Sequence, residues 1–248
     1  VNGTAQNAVA RILNGTGGWD GAFAPTAAPS GGTITSLAQD VSGNVYVGGT
    51  FTGGLGAPGA LPGLVRLLNG SGGYDNTFTP AAPVGTVTVS SLAVDATTGN
   101  VLVAGIFAAT ETEFGGTANL GCVNSSGTAV RLAGLTSGPD QQGRAVRVLR
   151  DGKLAIVGDF TTINGQSRSR VARLTSAGAI DAKFDPGLGA NSTIFAVVQD
   201  TSGRLVLAGD FTSYDGTPIN RLARAASLGA ALNIGSVDPT FVVTNGGV

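Results

Sequence analysis

The chain is 248 residues long, 42% apolar and only 12% charged, and its 14 basic and 15 acidic residues leave a formal net charge of -1. That length and apolar content suit one large domain with ample core material, while near neutrality argues against capture of nucleic acid or anionic lipid by a basic face. The chain has no His and one cysteine, Cys122, which excludes Ser-His-Asp and Cys-His catalysis, an internal disulfide framework and a cysteine-rich metal site.

The first predicted element is the end of a repeat. Val9-Ala-Arg11-Ile-Leu13 reads as a strand, and Gly18-Trp-Asp20-Gly-Ala-Phe23-Ala-Pro25 as a turn that drops an aromatic inward and stops at proline. Residues 1–30 form a half blade on this reading. The first full repeat, 31–83, has strands at Ile34 to Gln39, Val45 to Gly49 and Leu64 to Leu68, then a closing turn from Gly73 to Pro80 containing Asp75 and Phe78. The second, 84–140, is degenerate. It carries an insertion from Ala109 to Asn124, its third-strand arginine falls at Arg131, and its closing turn reads Gly138-Pro-Asp140 without the aromatic. The third, 141–190, is the clearest: Ala145 to Leu149, an Asp151-Gly152 hairpin turn, Leu154 to Gly158, a polar loop from Thr161 to Ser169, and Arg170 to Leu174. The fourth, 191–248, repeats that order with an insertion from Ala226 to Ser236.

Each full repeat contains a β-run ending in Gly-x-Phe, at Phe51, Phe107, Phe160 and Phe211. A period of roughly 50 residues built from short strands means stacked or radially arranged β units. The expectation is an all-β propeller, a single domain of four full blades plus the N-terminal half blade, with helices nearly absent because 41 glycines interrupt any helical spacing. The longest apolar run, Val101 to Ala109, is far short of the roughly 20 residues of a membrane helix. The chain lacks Met even at position 1, which is expected of a processed or excised piece and fits export to the cell surface or beyond.

Gly158-Asp-Phe-Thr161, Asn164-Gly165, Arg170-Val-Ala-Arg-Leu174 and Asp181-Ala-Lys-Phe184 recur as Gly209-Asp-Phe-Thr212, Asp215-Gly216 and Arg221-Leu-Ala-Arg224. This pattern resembles the delta-60 repeat, a β-propeller-type repeat of large bacterial surface and secreted proteins. The resemblance implies export and a structural or adhesive role, and it brings no catalytic residues with it.

Carboxylate pairs could in principle cleave glycosides, but the only glutamates, Glu111 and Glu113, sit two apart in the second-repeat insertion, where solvation explains them. With Phe114 they are the candidates for a binding loop, as is the stretch from Gly53 to Pro62. The arginines at Arg11, Arg66, Arg131, Arg173 and Arg224 recur too often for a ligand site, and are expected to bond carbonyls or an acid such as Asp40, Asp95 or Asp200. Asp20, Asp75, Asp181 and Asp238 invite calcium, yet each loop lacks a full motif and turn formation accounts for them. No cofactor is expected. The recurrent Phe residues and Trp19 read as anchors between blades. Five Asn-x-Ser/Thr sequons, at Asn2, Asn14, Asn69, Asn124 and Asn191, are what a chain of this composition yields by chance.

Four openings against five closings leave the ring unable to close by exchange of its terminal strands. The expected function is therefore a non-enzymatic extracellular structural protein, a head-to-tail filament or adhesive stalk, with residues 1–30 donated to a neighbouring copy or tandem module. Its inter-subunit strand candidates are Val9, Arg11, Ile12, Leu13, Trp19 and Phe23. The competing expectation is a glycan- or protein-binding propeller module of a larger bacterial cell-surface protein.

Overall fold

The computed structural model describes residues 7–59, 63–81, 85–108, 114–226 and 235–241. Eighteen strands occupy them, arranged as four three-stranded and three two-stranded antiparallel sheets. The described residues divide into two compact units, one running to Thr117 and adding Gly121–Arg131, the other comprising Ala118–Leu120 and the chain from Leu132 onward.

In the first unit a short pair, β1 (Pro29–Ser30) with β4 (Gly53–Gly54), accompanies two larger sheets. One is β2 (Ile34–Gln39), β3 (Val45–Gly49) and β5 (Leu64–Leu67); the other is β6 (Thr88–Val94), β7 (Val101–Ile106) and β8 (Leu120–Val123). In the second unit β9 (Gly143–Val148), β10 (Leu154–Gly158) and β13 (Val171–Leu174) form one sheet, and β14 (Ile194–Gln199), β15 (Leu205–Gly209) and β18 (Leu222–Ala225) the other. Two minor hairpins complete it: β11 (Thr162–Ile163) with β12 (Gln166–Ser167), and β16 (Ser213–Tyr214) with β17 (Thr217–Pro218).

The middle strands β3 and β10 read as nearly continuous buried runs, the pattern of a strand covered on both faces, whereas β15 is only partly buried. Tyr46, Phe78, Val89, Leu92, Phe107 and Phe114 pack between the two sheets of the first unit. Val157, Phe184, Ile194, Leu207, Phe211 and Tyr214 do the same in the second.

Asp151-Gly152, expected as a two-residue turn, lies inside a longer loop. Val148 pairs with Leu154, Gly152 N–H donates to Leu149 O, and Lys153 N–H donates to the Asp151 carboxylate. The tight two-residue turns are Asn164-Gly165 and Asp215-Gly216, where both central residues have positive φ.

The second repeat also differs from its expected register. Its closing bridge is Val123 to Ala129, and Val130 N–H donates to Cys122 O as Asp75 N–H does to Arg66 O. The residue equivalent to the third-strand arginine is therefore Cys122, not Arg131. Gly138-Pro-Asp140 belongs to the following repeat, since the Asp140 carboxylate accepts from the Thr161 and Thr162 N–H groups.

Candidate functional site

Four closing turns share one construction. Arg11, Arg66, Arg173 and Arg224 each donate Nε to Oδ2 of the aspartate that follows, Asp20, Asp75, Asp181 and Asp238, at 2.7, 2.8, 2.7 and 2.9 Å. The other carboxylate oxygen accepts the backbone N–H two residues on, of Ala22, Thr77, Lys183 and Thr240. Each guanidinium also lies over the closing phenylalanine, Phe23, Phe78, Phe184 and Phe241, at 4.9, 5.3, 5.0 and 4.7 Å from the ring centroid. The partners differ from the expected Asp40, Asp95 and Asp200; of these, Asp200 pairs with Arg204. The turn aspartates considered for calcium have both oxygens engaged in this clasp. Burial alone would raise the Asp75 and Asp181 carboxyls, but hydrogen bonds hold both below the usual carboxylate range, from the Thr77 hydroxyl, the Thr77 N–H and Arg66 at Asp75, and from the Lys183 N–H and Arg173 at Asp181.

The least uniform part of the repeat is a rim where the first and middle strands of each sheet meet. Every first strand carries one bulged residue there: Thr35, Ser90, Arg144 and Phe195. Opposite each bulge stands a glycine, Gly49, Gly105, Gly158 or Gly209, whose Cβ would strike the carbonyl oxygen of Thr33, Thr88, Gln142 or Thr193. This explains the recurrent Gly two residues before Phe, and bulges commonly re-aim a side chain.

In the first unit the bulged residues are small and polar, and the residues between glycine and phenylalanine are Thr50 and the exposed Ile106. In the second they are charged and aromatic. Arg144 donates from Nε and Nη2 to Asp159 Oδ2 at 3.0 and 2.7 Å, Thr193 Oγ1 donates to Asp159 Oδ1 at 2.7 Å, and Arg170 donates Nη1 to the Asp159 carbonyl oxygen. Arg221 Nη1 meets Asp210 Oδ1 at 3.0 Å, and both side chains are largely exposed. The Arg144 guanidinium lies 5.8 Å from the centroid of the Phe195 ring, and Phe195 is 47% exposed.

The residue that opens each third strand has positive φ: Gly63 at 68°, Asn119 at 64°, Arg170 at 71° and Arg221 at 62°. Its N–H and C=O serve the backbone in the same way in both repeats of the second unit, to Phe160 and Gly158 and to Phe211 and Gly209. Glycine and asparagine tolerate that region; arginine enters it at a cost of about 1 kcal/mol.

The sequence-predicted strand candidates lie on the first unit. Val9 and Phe23 are buried with Val47, Phe51, Leu55 and Val65, Arg11 holds Asn69 as well as Asp20, and Ile12 bridges Trp19. Ile12 and Leu13 are exposed, while the Trp19 indole N–H is buried with no partner among the described residues. Of the binding-loop candidates, Glu111 and Glu113 lie outside the described residues. Phe114 is a core residue whose ring meets that of Phe107 at a tilt of 56°, with 4.7 Å between centroids. The rim was missed by sequence reading. Its available signal was the first arginine of Arg-x-Ala-Arg, which pairs nowhere in the closing clasp.

Among the described residues no group of three or more His, Cys, Asp or Glu side chains is gathered as for a metal ion, and no helix is long and apolar enough to cross a membrane.

Residues 149–184 and 201–229 match a family model described as a domain of unknown function (DUF5122) beta-propeller. No curated protein matches the chain. Among solved structures, one from a nidogen/laminin complex is 14% identical over 90% of this chain and 76% of the other, with a TM-score of 0.50. A protein of unknown function from Bacteroides caccae is 16% identical over 81% of this chain and 59% of its own, with a TM-score of 0.46. The extracellular domain of a putative hybrid two-component system from B. thetaiotaomicron is 16% identical over 77% and 21%, with a TM-score of 0.44. The chain thus spans less than two thirds of either bacterial structure. It is an all-β protein of the β-propeller class.

Proposed function

We propose that this is a non-enzymatic propeller module of a bacterial surface or secreted protein, of the delta-60 kind, that works by assembly through an open strand edge. One observation carries this reading. In β5, β13 and β18 the clasp arginine faces a residue of a middle strand, Tyr46, Ala155 or Val206. Residues 9–12 carry the same clasp, and among the described residues no middle strand lies beside them. Asp20 N–H donates to Arg11 O and Leu13 N–H to Gly18 O, so the backbone groups of Ala10 and Ile12 point the other way, to the open edge. An opening hairpin from a neighbouring copy or tandem module would satisfy them through main-chain bonds, and head-to-tail repetition of that contact makes a filament.

In this reading residues 9–23, whose Val9 and Phe23 pack with Val47 and Phe51, receive strands, the reverse of the donation expected from the sequence. Ala10→Pro removes one edge donor and leaves the clasp bonds in place. Electron microscopy should show filaments for the parent chain and isolated particles for the variant; equal assembly by both, or none by the parent, sinks the reading.

A second reading, recognition of a glycan or protein, is favoured by the exposed Phe195 and the arginines around it in the second unit. There the module would bind through its rim and have no need to polymerise.

A further inference from the structure

We infer that the rim of the second unit, formed by Phe195, Arg144, Asp159, Asp210 and Arg221, is a binding site for an uncharged glycan. The inference rests on the second reading of function and names its ligand class.

Two independent features point to a site. The first is backbone strain. The position that opens the third strand is filled in the first two full repeats by Gly63 and Asn119, which take positive φ easily, and in the last two by arginine. Nothing in the turn requires a guanidinium, because the N–H and C=O of that residue make the turn's own bonds whatever its side chain. An L-residue with a long side chain held in the left-handed region, against cheaper alternatives used at equivalent positions of the same chain, signals a side chain retained for what it reaches. Arg221 reaches Asp210 at the surface, and Arg170 reaches the backbone of Asp159.

The second feature is the bulge. It sets Phe195 and Ala196 as consecutive exposed residues on β14, out of the alternation that buries Ile194 and Val197. The ring is thereby presented to solvent, with Val198 also exposed on the same strand, where the equivalent bulges of the first unit present only Thr35 and Ser90.

The chemistry selects the ligand. Arg144 is paired with Asp159 and Arg221 with Asp210, and Arg170 is turned to a carbonyl, so the rim offers hydrogen-bonding capacity more than net charge. Each Arg–Asp pair keeps donors and acceptors side by side, which matches vicinal hydroxyls. The exposed aromatic ring matches the apolar C–H face of a pyranose. A purely apolar partner would leave the exposed Asp210 and Arg221 to be desolvated without return.

The test uses the full chain on an array of neutral and acidic oligosaccharides, with Phe195→Thr and Arg221→Gly copying the residues of the first-unit rim. The parent should be retained on neutral glycans, to the same extent at about 0.05 and about 0.5 M salt, a range over which exposed charge attraction is lost. Both variants should lose at least tenfold in retention. Arg221→Gly relieves the strained φ, so its thermal midpoint should hold or rise, an outcome that a purely structural arginine would not give. Parent protein that binds no neutral glycan, or variants that bind as the parent does, overturns the inference. Retention on acidic glycans alone that fades with salt also overturns it. If instead the two substitutions abolish capture of a protein partner while glycans are ignored, the glycan class is refuted and the second reading of function survives.

Discussion

Arg66 and Asp75 have side chains only 11% and 6% exposed, and a buried ion pair gains little over apolar packing unless all of its hydrogen-bonding groups are met. Here they are: Arg66 also donates to the Tyr46 hydroxyl, the Ser125 carbonyl and Thr77 Oγ1, and Asp75 accepts from Thr77 N–H. The second repeat shows the other solution, because Cys122 and Val130 stand where the pair would be and both charges are gone together. Asp75→Ala should therefore destabilise by about 3–5 kcal/mol, since it strands a buried guanidinium. The double variant Arg66→Cys with Asp75→Val should recover most of that loss. Urea unfolding midpoints compare them, and a double variant no better than the single would mean that the pair contributes by itself. Cys122 is a packing residue on the same grounds. Burial pushes its thiol up to about 12, so a thiol-directed reagent at pH 8 should label it only after denaturant unfolds the chain.

The four bulges make a sharper claim about elements than the hairpin turns do. Gly152 has positive φ and open space where a Cβ would go, while a Cβ on Gly158 would strike the Gln142 carbonyl. Gly152→Ala should cost about 1 kcal/mol, whereas Gly158→Ala must displace the backbone of β9 and should cost well over twice as much. Matched thermal melts of the two variants check this; equal losses would mean that the bulge yields easily. These elements also mark how far sequence reading reached. Gly-x-Phe at repeat spacing revealed the strands and their order, because buried middle strands are continuous apolar runs. It did not reveal the bulge, since the glycine's reason is a carbonyl in another strand. The register of the second repeat slipped for a related cause: Arg131 offered the expected residue type, and only the bridge from Val123 to Ala129 shows that Cys122 holds the position. The clasp was half legible. Asp75 and Arg66 were both singled out, but as separate puzzles, because nine residues of hairpin hide the fact that they touch. Phe195 stands in the first strand of its repeat with nothing in the sequence to set it apart, since its exposure depends on the bulge that it occupies.

At the scale of the whole chain, the absence of His and the pairing of the aspartates fix the dependence of stability on pH. Nine of the thirteen aspartates, Asp20, Asp75, Asp95, Asp140, Asp151, Asp159, Asp181, Asp200 and Asp238, have carboxyls held below the ordinary 3.8. For Asp20 the largest cause is the Arg11 hydrogen bond. For the other eight, burial opposes the shift and hydrogen bonds outweigh it, joined by nearby cations at all but Asp95 and Asp140. A carboxyl whose folded pKa is depressed binds fewer protons folded than unfolded. Its stabilisation is complete above the unfolded value, near 4, and is lost as the pH falls through the folded value. At the other end, burial raises the Cys122 thiol from 9.0 to about 12 and raises the Tyr214 hydroxyl, which donates to the Gly235 carbonyl, above its ordinary 10.0. Those groups ionise first in the unfolded chain, so stability also falls as the pH climbs past about 9 to 10. The urea midpoint should be flat between about pH 5 and pH 7.5, where no side chain changes charge in either state, and should drop on both sides. Asp75→Asn should make the acid limb shallower and leave the alkaline limb unchanged, because it removes one of the groups that titrate below pH 4. A step in the midpoint near pH 6 or 7 would contradict this account, since it would require a group that titrates there in the folded or the unfolded chain.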